Sequence, residues 1–256
     1  MDIDKNVIET IAGFIAESEN AIAFTGAGIS TESGISDFRS PGGIWSRYQP
    51  VYYQDFLKSE DARKQYWVMK KEGYDELKNA RPNDGHRSLA RLEEAGKLAA
   101  VITQNIDGLH QEAGSRQVLE LHGTNRYGLC LQCNARSDLD EIQAVLESGI
   151  EVPLCSQCGG WLKMATVSFG QPLPSDVLEE AFDLALKADL ILALGSSLVV
   201  EPAASIPRHA KNNGARLVII NNTETPLDGS ADVLVHQSIG ETMSRVVKHF
   251  ERENMT

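Results

Sequence analysis

Apolar residues along the chain follow two spacings in turn, one typical of helices and one typical of buried strands. Residues 4–18 carry apolar side chains at a helical period, with Asp4 as the expected N-cap. The short apolar run at 21–24 is typical of a strand. Further strands are predicted at 98–103, 189–195, 216–220 and 232–236, and a short strand that runs into a turn is predicted at 166–170. The segment 54–77 is predicted to be helical, and helices are predicted at 86–96, 175–188, 201–213 and 241–253. This alternation predicts an α/β fold built on a doubly wound, Rossmann-type parallel sheet.

Polar or glycine residues follow four of the predicted strands at their carboxyl ends: Gly26-Ala27-Gly28, Gln104 to Asp107, Gly195 to Ser197, and Asn221. Parallel strands point the same way, so these four ends are expected to meet at the edge where open α/β sheets bind ligands. A Gly-x-Gly directly after a strand also begins the dinucleotide fingerprint, although Thr31 stands where that fingerprint has its third glycine. A simple turn between strand and helix is the alternative for this loop alone, and the convergence of four strand ends favours a nucleotide site.

A polar, glycine-rich stretch at 33–45 is predicted to be a binding loop or lid, because long loops in compact domains usually carry function. Arg39 could pair with a phosphate, and Phe38 could cover a ring. A surface loop held down by one aromatic residue is the alternative explanation.

Two histidines, His110 and His122, lie in the polar stretch at 103–123. Either could be a general base, because an imidazole titrates near neutral pH. The alternative is that both are ordinary loop or capping residues.

The four cysteines form two Cys-x-x-Cys pairs, Cys130 with Cys133 and Cys155 with Cys158, separated by 21 residues. This spacing favours one structural Zn²⁺ with four thiolate ligands and no open coordination position. Chance pairs or a redox dithiol are the alternatives. We therefore expect a small zinc-binding domain at 126–164, inserted into a Rossmann-type nucleotide-binding domain at 1–125 and 165–256 that carries a helical and loop segment near 40–80.

The composition limits the class of partner. The chain has 256 residues, 42% of them hydrophobic, and a net charge of -12, so its surface repels phosphate backbones and attracts basic peptides. Acidic charge that only maintains solubility explains the same balance. No apolar run is long enough for a membrane span, and the N-terminus lacks the pattern of a signal peptide. We expect a cytoplasmic protein, with a monomer favoured, that contacts neither membrane nor nucleic acid.

Together these blocks resemble the sirtuins of prokaryotic type, the NAD-dependent protein deacylases. The resemblance covers residues 5–250 and rests on Gly26 to Ser30, Gly34 to Arg39, Thr103 to His110, Leu121 to Gly123, the two cysteine pairs, Phe169-Gly170, Gly195 to Ser197, and Asn221. It implies that NAD, as co-substrate, and an acyl-lysine peptide enter a cleft between the large domain and the zinc domain. The reaction implied releases nicotinamide and transfers the acyl group from lysine to ADP-ribose.

The resemblance also implies roles for individual residues. His122 is the general base, and Asn105 is the second catalytic residue. Val167, Phe169 and Gly170 are expected to bind the substrate backbone as an added strand. The residues expected to bind NAD are Gly26, Ala27, Gly28, Ser30, Ile35, Asp37, Phe38, Arg39, Gln104, Asn105, Asp107, Gly195, Ser196, Ser197 and Asn221.

The chain departs from the family pattern at Ser36, Gln171 and Lys163-Met164. In desuccinylating relatives a Tyr-x-x-Arg pair reads acidic acyl groups, and the matching positions here are Trp67 and Lys70. Because a lysine lacks the bidentate geometry of arginine, we expect acetyl or other neutral acyl groups. Two alternatives stay open: an ADP-ribosyltransferase or NADase on the same fold, and a noncatalytic NAD-binding or zinc-ribbon protein.

Overall fold

The computed structural model describes residues 4–38, 40 and 42–254. Its strands, in chain order, are β1 (Ala21–Thr25), β2 (Ala100–Thr103), β3 (Val118–Glu120), β4 (Gly123–Cys130), β5 (Arg136–Asp138), β6 (Leu162–Thr166), β7 (Leu190–Leu194), β8 (Arg216–Ile220) and β9 (Val233–Val235). Six of these form a parallel sheet in the order β3-β2-β1-β7-β8-β9, which confirms the predicted fold class. The direction of winding reverses between β1 and β7. Their carboxyl ends therefore flank the crevice where such sheets bind ligands.

Helices cover both faces of this sheet. They are α1 (Lys5–Glu17), α2 (Tyr53–Lys58), α3 (Glu60–Glu72), α4 (Tyr74–Asn79), α5 (Asp84–Glu94), α6 (Leu109–Ala113), α7 (Leu139–Glu147), α8 (Ser175–Lys187), α9 (Ser205–Asn212) and α10 (Ile239–Asn254), with 3-10 turns at Ala27–Ser33, Ile44–Ser46 and Asp228–Ser230. Successive residues of β1 face opposite layers: Ala23 packs with α1, α5 and α10, whereas Phe24 packs with α8 and α9. Burial on both faces explains the continuous apolar runs of the central strands.

The helix ends follow local chemistry. The carboxylate of Asp4 accepts from the backbone N–H of Asn6 at 2.9 Å, so the predicted cap of α1 is confirmed. Helix α9 begins at Ser205, four residues later than predicted. Pro207 explains the late start, because a residue without an N–H is tolerated only in the first helical turn.

The segment 54–77 is helical as predicted, but it forms three helices, because Ser59 caps α3 through the N–H of Ala62 and Gly73 ends it. The short strand that runs into a turn at 166–170 is also found. It belongs to β6 only at Thr166, and the chain then turns at Gly170, whose φ is +78°.

The remaining strands form an antiparallel sheet in the order β5-β4-β6. Its core contains Ile142 and Leu146 of α7, and it also takes in Phe56, Tyr66 and Trp67 from α2 and α3. Helices α2 and α3 thus pack on the cysteine-bearing module. No described helix combines the length and apolar character that a membrane span requires.

Candidate functional site

The loops that follow β1 and β7 interlock at the crevice. The backbone N–H of Gly26 donates to Leu194 O at 3.0 Å, and that of Gly28 donates to Gly195 O at 2.8 Å. A Cβ on Gly28 would lie 2.8 Å from the Cα of Gly195. Gly195 itself has a φ of +65°, which favours glycine. The glycines are therefore required for two backbones to approach each other, and at these positions no side chain projects into the crevice.

A cavity of about 660 Å³ opens at these strand ends, within the usual range for a small-molecule site. It brings together most of the residues predicted to bind NAD or peptide: Gly26, Ala27, Gly28, Asp37, Phe38, Gln104, Asn105, His122, Val167, Phe169, Gly170, Gly195, Ser196, Ser197 and Asn221. A smaller cavity of about 140 Å³ adjoins it and is lined by Ser30, Ile35 and Asp107. Arg39 lies outside the described residues.

His122 lies between the two sheets, because β3 ends at Glu120 in one sheet and β4 begins at Gly123 in the other. Its Nδ1 is 3.0 Å from the backbone oxygen of Gln104. A carbonyl oxygen can only accept, so this contact places the proton on Nδ1 and leaves Nε2 as the basic nitrogen. The backbone oxygen of His122 accepts from Val167 N–H at 2.8 Å, which ties the imidazole to the turn after β6.

Asn105 and Asp107 are fixed by buried hydrogen bonds. Asn105 Nδ2 donates to Gly26 O and to Ser30 Oγ, both at 3.1 Å. Ser30 Oγ donates to Asp107 Oδ2 at 2.7 Å, and Leu109 N–H donates to the other carboxylate oxygen at 2.9 Å. An amide and a carboxylate are therefore held in place before any ligand arrives.

His110 lies behind this cluster and lines neither cavity. Its Nε2 is 2.9 Å from Thr25 Oγ1, and its ring is 4.8 Å from that of His86. Burial, together with the neighbouring His86, lowers the pKa of His110 to about 3. Burial also lowers the pKa of His86. These two neutral rings support the site from inside, so the geometry favours His122 over His110 as the base. The sequence analysis placed His86 only at the start of a predicted helix.

Aromatic rings form one wall of the larger cavity. Phe38 lies 5.3 Å from Trp45, and Trp45 lies 6.0 Å from Phe169, measured between ring centroids. The carboxylate of Asp37 accepts from the backbone N–H of Ser40 at 2.7 Å, so it orders the loop that carries Phe38. Tyr53 N–H donates to Phe169 O at 2.9 Å, which links this wall to α2.

The four cysteine sulfurs lie within 4.8 Å of one another. Cys158 Sγ is 3.5 Å from Cys130 Sγ and 3.4 Å from Cys133 Sγ, close to the ~3.8 Å edge of a tetrahedral zinc–thiolate site. Each pair closes through a left-handed residue, Asn134 with φ +57° and Gly159 with φ +74°. The four thiols therefore fit one zinc ion, and none of them lines either cavity, which fits a structural role.

The larger cavity also takes in residues outside the predicted NAD and peptide sets. Tyr66, Met69 and Lys70 reach it from α3, and Ile106, which carried no assigned role in the sequence analysis, reaches it from the loop after β2. Their position depends on how α3 packs against the small sheet, which local sequence patterns do not encode.

A parallel sheet with a ligand crevice at its topological switch point, joined to a four-cysteine module, defines a nucleotide-binding α/β protein with a structural metal site. Residues 26–202 match the model of the Sir2 family, and the chain belongs to this family. The NAD-dependent protein deacetylase of Thermodesulfovibrio yellowstonii is 46% identical over 93% of this chain and 93% of its own length. The NAD-dependent protein deacetylase of Rhodopseudomonas palustris is 47% identical over 94% of this chain and 96% of its own.

A solved structure of Sir2 with a p53 peptide and NAD⁺ superposes with a TM-score of 0.87. It is 39% identical in sequence and covers 94% of this chain and 98% of its own. The predicted family resemblance is thus confirmed over nearly the whole chain.

Proposed function

We propose that this chain is an NAD-dependent protein lysine deacetylase or deacylase, which cleaves NAD, releases nicotinamide and transfers the acyl group to ADP-ribose. One observation carries the proposal. A single cavity runs from the glycine loops of β1 and β7 to the imidazole of His122 and the aromatic wall at Phe169. A dinucleotide and an extended peptide can meet there. The names of the deacetylase relatives support the same reaction.

In this proposal different parts of the cavity bind different parts of NAD. In this proposal Gly26, Ala27, Gly28, Gly195, Ser196 and Ser197 hold the pyrophosphate and a ribose, because their backbones carry no bulky side chains. Asn221, at the end of β8, lies beside the adenosine ribose. Ser30, Ile35, Gln104, Asn105 and Asp107 form the nicotinamide end. Phe38 shields the reacting face after nicotinamide leaves. We also assign Asp37 to NAD binding, and Arg39 to the phosphates and ribose, as the resemblance implies.

NAD supplies the ribose carbon that accepts the acyl oxygen as nicotinamide leaves. The chain would contribute orientation, exclusion of water until nicotinamide has left, and one proton transfer. One water molecule then replaces the lysine amine on the acyl carbon, so that the products are nicotinamide, free lysine and acyl-ADP-ribose. Holding both reactants in one site replaces a bimolecular encounter, an effect worth up to ~7–11 kcal/mol in aligned model systems. Nε2 of His122 takes a proton from a ribose hydroxyl, while the carbonyl of Gln104 fixes the ring through Nδ1. Because only a neutral imidazole can accept this proton, turnover falls at acid pH.

The turn after β6 receives the peptide. Val167, Phe169 and Gly170 lie at the cavity, and Phe169 is 40% exposed although it is a large apolar residue. We assign these residues to the substrate backbone, bound as an added strand. The net charge of -12 favours basic segments around the acyl-lysine.

The proposal also covers the cellular compartment, the oligomeric state and the domain boundaries. Four thiols suited to zinc fit a reducing compartment, so we place the protein in the cytoplasm. We propose that it acts as a monomer on acyl-lysine proteins and contacts neither membrane nor nucleic acid. We retain 126–164 as the zinc domain and 1–125 with 165–256 as the NAD-binding domain.

The test is a mass-spectrometric assay of NAD with acetyl-lysine peptide. We expect nicotinamide, deacetylated peptide and acetyl-ADP-ribose in equal amounts, with no nicotinamide when the peptide is omitted. Nicotinamide release without peptide would instead support an ADP-ribosyltransferase or NADase. Binding of NAD without turnover would support a noncatalytic protein.

His122→Ala is expected to lower the rate about 10²- to 10⁴-fold through loss of the general base. The matched control is His209→Ala. His209 also contacts a backbone oxygen, Ser205 O at 2.8 Å, but lies exposed on α9. Undiminished turnover in His122→Ala would remove the base assignment, and an equal loss in both variants would point to a folding defect.

A further inference from the structure

Lys163 is a buried lysine on the strand that leads into the turn at 167–170. It is 2% exposed on β6, although lysine side chains are rarely fully buried. It lines neither of the two cavities, so it lies outside the space proposed for NAD and peptide. A buried ammonium is unfavourable unless polar groups surround it. The position of this charge therefore needs a structural reason.

The reason lies in the backbone at the end of β6. The pairing between β4 and β6 shifts register between Gly123 and Gly128, and such a shift interrupts the ladder of backbone hydrogen bonds. Lys163 Nζ donates to Thr166 O and, at 3.4 Å, to Met164 O. The ammonium thus supplies donors to two carbonyls at the irregular part of the ladder.

Other side chains do not explain the position of this ammonium. Among the described residues, no ion pair includes Lys163. Its charged neighbour Lys70 is also a cation and repels it. The ring centroid of Tyr66 is 5.7 Å from Nζ, which is the outer limit of a cation–π contact. The carbonyls of β6 are therefore its main partners.

The carbonyl that receives the ammonium adjoins the candidate site. Thr166 lines the larger cavity, and the next residue, Val167, donates its N–H to His122 O at 2.8 Å. Further along the turn, Phe169 O accepts from Tyr53 N–H at 2.9 Å. The turn is therefore held at three backbone points, and the ammonium holds the first, where the turn leaves the sheet.

We propose that Lys163 is a positioning residue for the substrate peptide. Through Thr166 O it fixes the backbone edge at 167–170, along which the peptide binds as an added strand. This inference rests on the proposed deacylase function and adds to it a residue that touches no ligand. The imidazole of His122 is held separately, by Gln104 O at Nδ1. Loss of the ammonium therefore weakens peptide binding more than it changes NAD binding or the chemical steps.

Replacing Lys163 with methionine removes the donors and keeps an unbranched side chain. The carbonyls at the end of β6 then lack a charged donor, and the turn is free to shift. We expect Lys163→Met to raise KM for an acetyl-lysine peptide about tenfold or more, the usual effect of losing a hydrogen bond to a charged group. KM for NAD and kcat should change much less. Lys163→Arg keeps the donors and a permanent charge, so it should restore KM for the peptide.

Lys97→Met is the matched control. Lys97 Nζ also donates to two backbone oxygens, Ala16 O at 2.7 Å and Ser18 O at 3.3 Å, and it lines neither cavity. These oxygens lie at the end of α1 and not in the small sheet. The variant therefore removes the same kind of contact from another part of the fold, and its KM for the peptide should equal that of wild type.

The pH profile gives a second readout. Burial lowers the pKa of Lys163 to about 8, so the group is charged at pH 7 and loses its charge as the pH rises past 8. The charge-assisted hydrogen bonds to β6 weaken with it, and KM for the peptide should rise between pH 7 and pH 9 in wild type. Arginine stays charged over this range, so Lys163→Arg should show a smaller rise.

The titratable groups that face this ammonium in the described part of the chain come from α3. Burial raises the pKa of Tyr66, so its hydroxyl stays neutral, and burial with the charge of Lys163 lowers the pKa of Lys70 to about 7. From β4 the paired residue is Leu129, which does not titrate. Both α3 groups remain in Lys163→Arg, so the difference between the two pH profiles reports Lys163.

Steady-state kinetics with NAD and an acetyl-lysine peptide, from pH 7 to pH 9, measure both readouts. An unchanged peptide KM in Lys163→Met overturns the inference. A loss shared equally by kcat and both KM values, or an equal rise of peptide KM in Lys97→Met, overturns it as well. If Lys163→Met does not fold, wild type and Lys163→Arg decide, and identical pH profiles overturn the inference.

Failure of the deacylase function looks different. In that case wild type turns over no acetyl-lysine peptide at any pH. Calorimetric titration with the same peptide then compares wild type, Lys163→Met and Lys163→Arg without turnover. Weaker binding in Lys163→Met alone supports the positioning role, and equal affinities overturn it.

Discussion

Replacing Gly195 with alanine tests whether the interlocked loops hold the NAD crevice open. At this position φ is +65°, and an added Cβ would lie 2.3 Å from the backbone nitrogen of Ile29 and 2.6 Å from the carbonyl carbon of Gly28. Neither atom belongs to a movable side chain, so one of the two loops must shift. Gly195→Ala should therefore weaken both folding and NAD binding.

The magnitude has two parts. A left-handed backbone costs a non-glycine residue about 1–2 kcal/mol. Forcing a methyl group into closely packed atoms typically adds about 1–3 kcal/mol. Gly195→Ala should thus lower the free energy of unfolding by about 2–5 kcal/mol. In a chain of this size, each kcal/mol lost lowers the melting temperature by ~2–4 °C.

Gly96→Ala is the matched control. Gly96 has a φ of +70°, and an added Cβ there meets no atom within 4 Å. It should therefore lose only the backbone contribution, about 1–2 kcal/mol. Urea unfolding and calorimetric titration with NAD measure the two effects. Equal destabilisation in both variants, or unchanged NAD affinity in Gly195→Ala, would refute the argument that close backbone contact shapes the crevice.

Two further predictions concern the metal and the buried histidines. Cys133→Ser should lower the zinc content from one ion per chain and destabilise the small sheet. Elemental analysis measures the zinc content, and hydrogen exchange of β4 to β6 measures the stability of the sheet. Full zinc retention would contradict a four-thiolate site. The pKa of His110 is lowered in the folded state, so below about pH 6.5 the unfolded chain binds more protons than the folded chain. The free energy of unfolding should therefore decrease as the pH falls below 6.5, and His110 contributes at most about 1.4 kcal/mol per pH unit to this decrease. Urea unfolding at pH 7.5 and 5.5 should show a weaker pH dependence in His110→Gln, and the same slope as wild type would contradict its buried neutral state.

Much of the central sheet could be predicted because its strands are short apolar runs and polar loops separate them from the neighbouring elements. The predicted strand at 216–220 coincides with β8, and four polar strand ends do converge on one cavity. The short strand β3 escaped prediction, because three residues carry no measurable period.

The surroundings of α2 and α3 could not be predicted from local sequence. Their sequence indicates helix, but Trp67 and Lys70 find their neighbours on β4 and β6, which lie more than fifty residues later in the chain. These contacts are properties of the folded surroundings. No local pattern reports them.

The placement of His122 makes the position of the base depend on both sheets. Only Leu121 and His122 separate β3 from β4, so the imidazole is carried by the link from one sheet to the other. Gly123, whose added Cβ would collide with the oxygen of Ala165, packs that link against the end of β6. A compound that changed the angle between the two sheets would therefore be expected to displace the base without touching the imidazole.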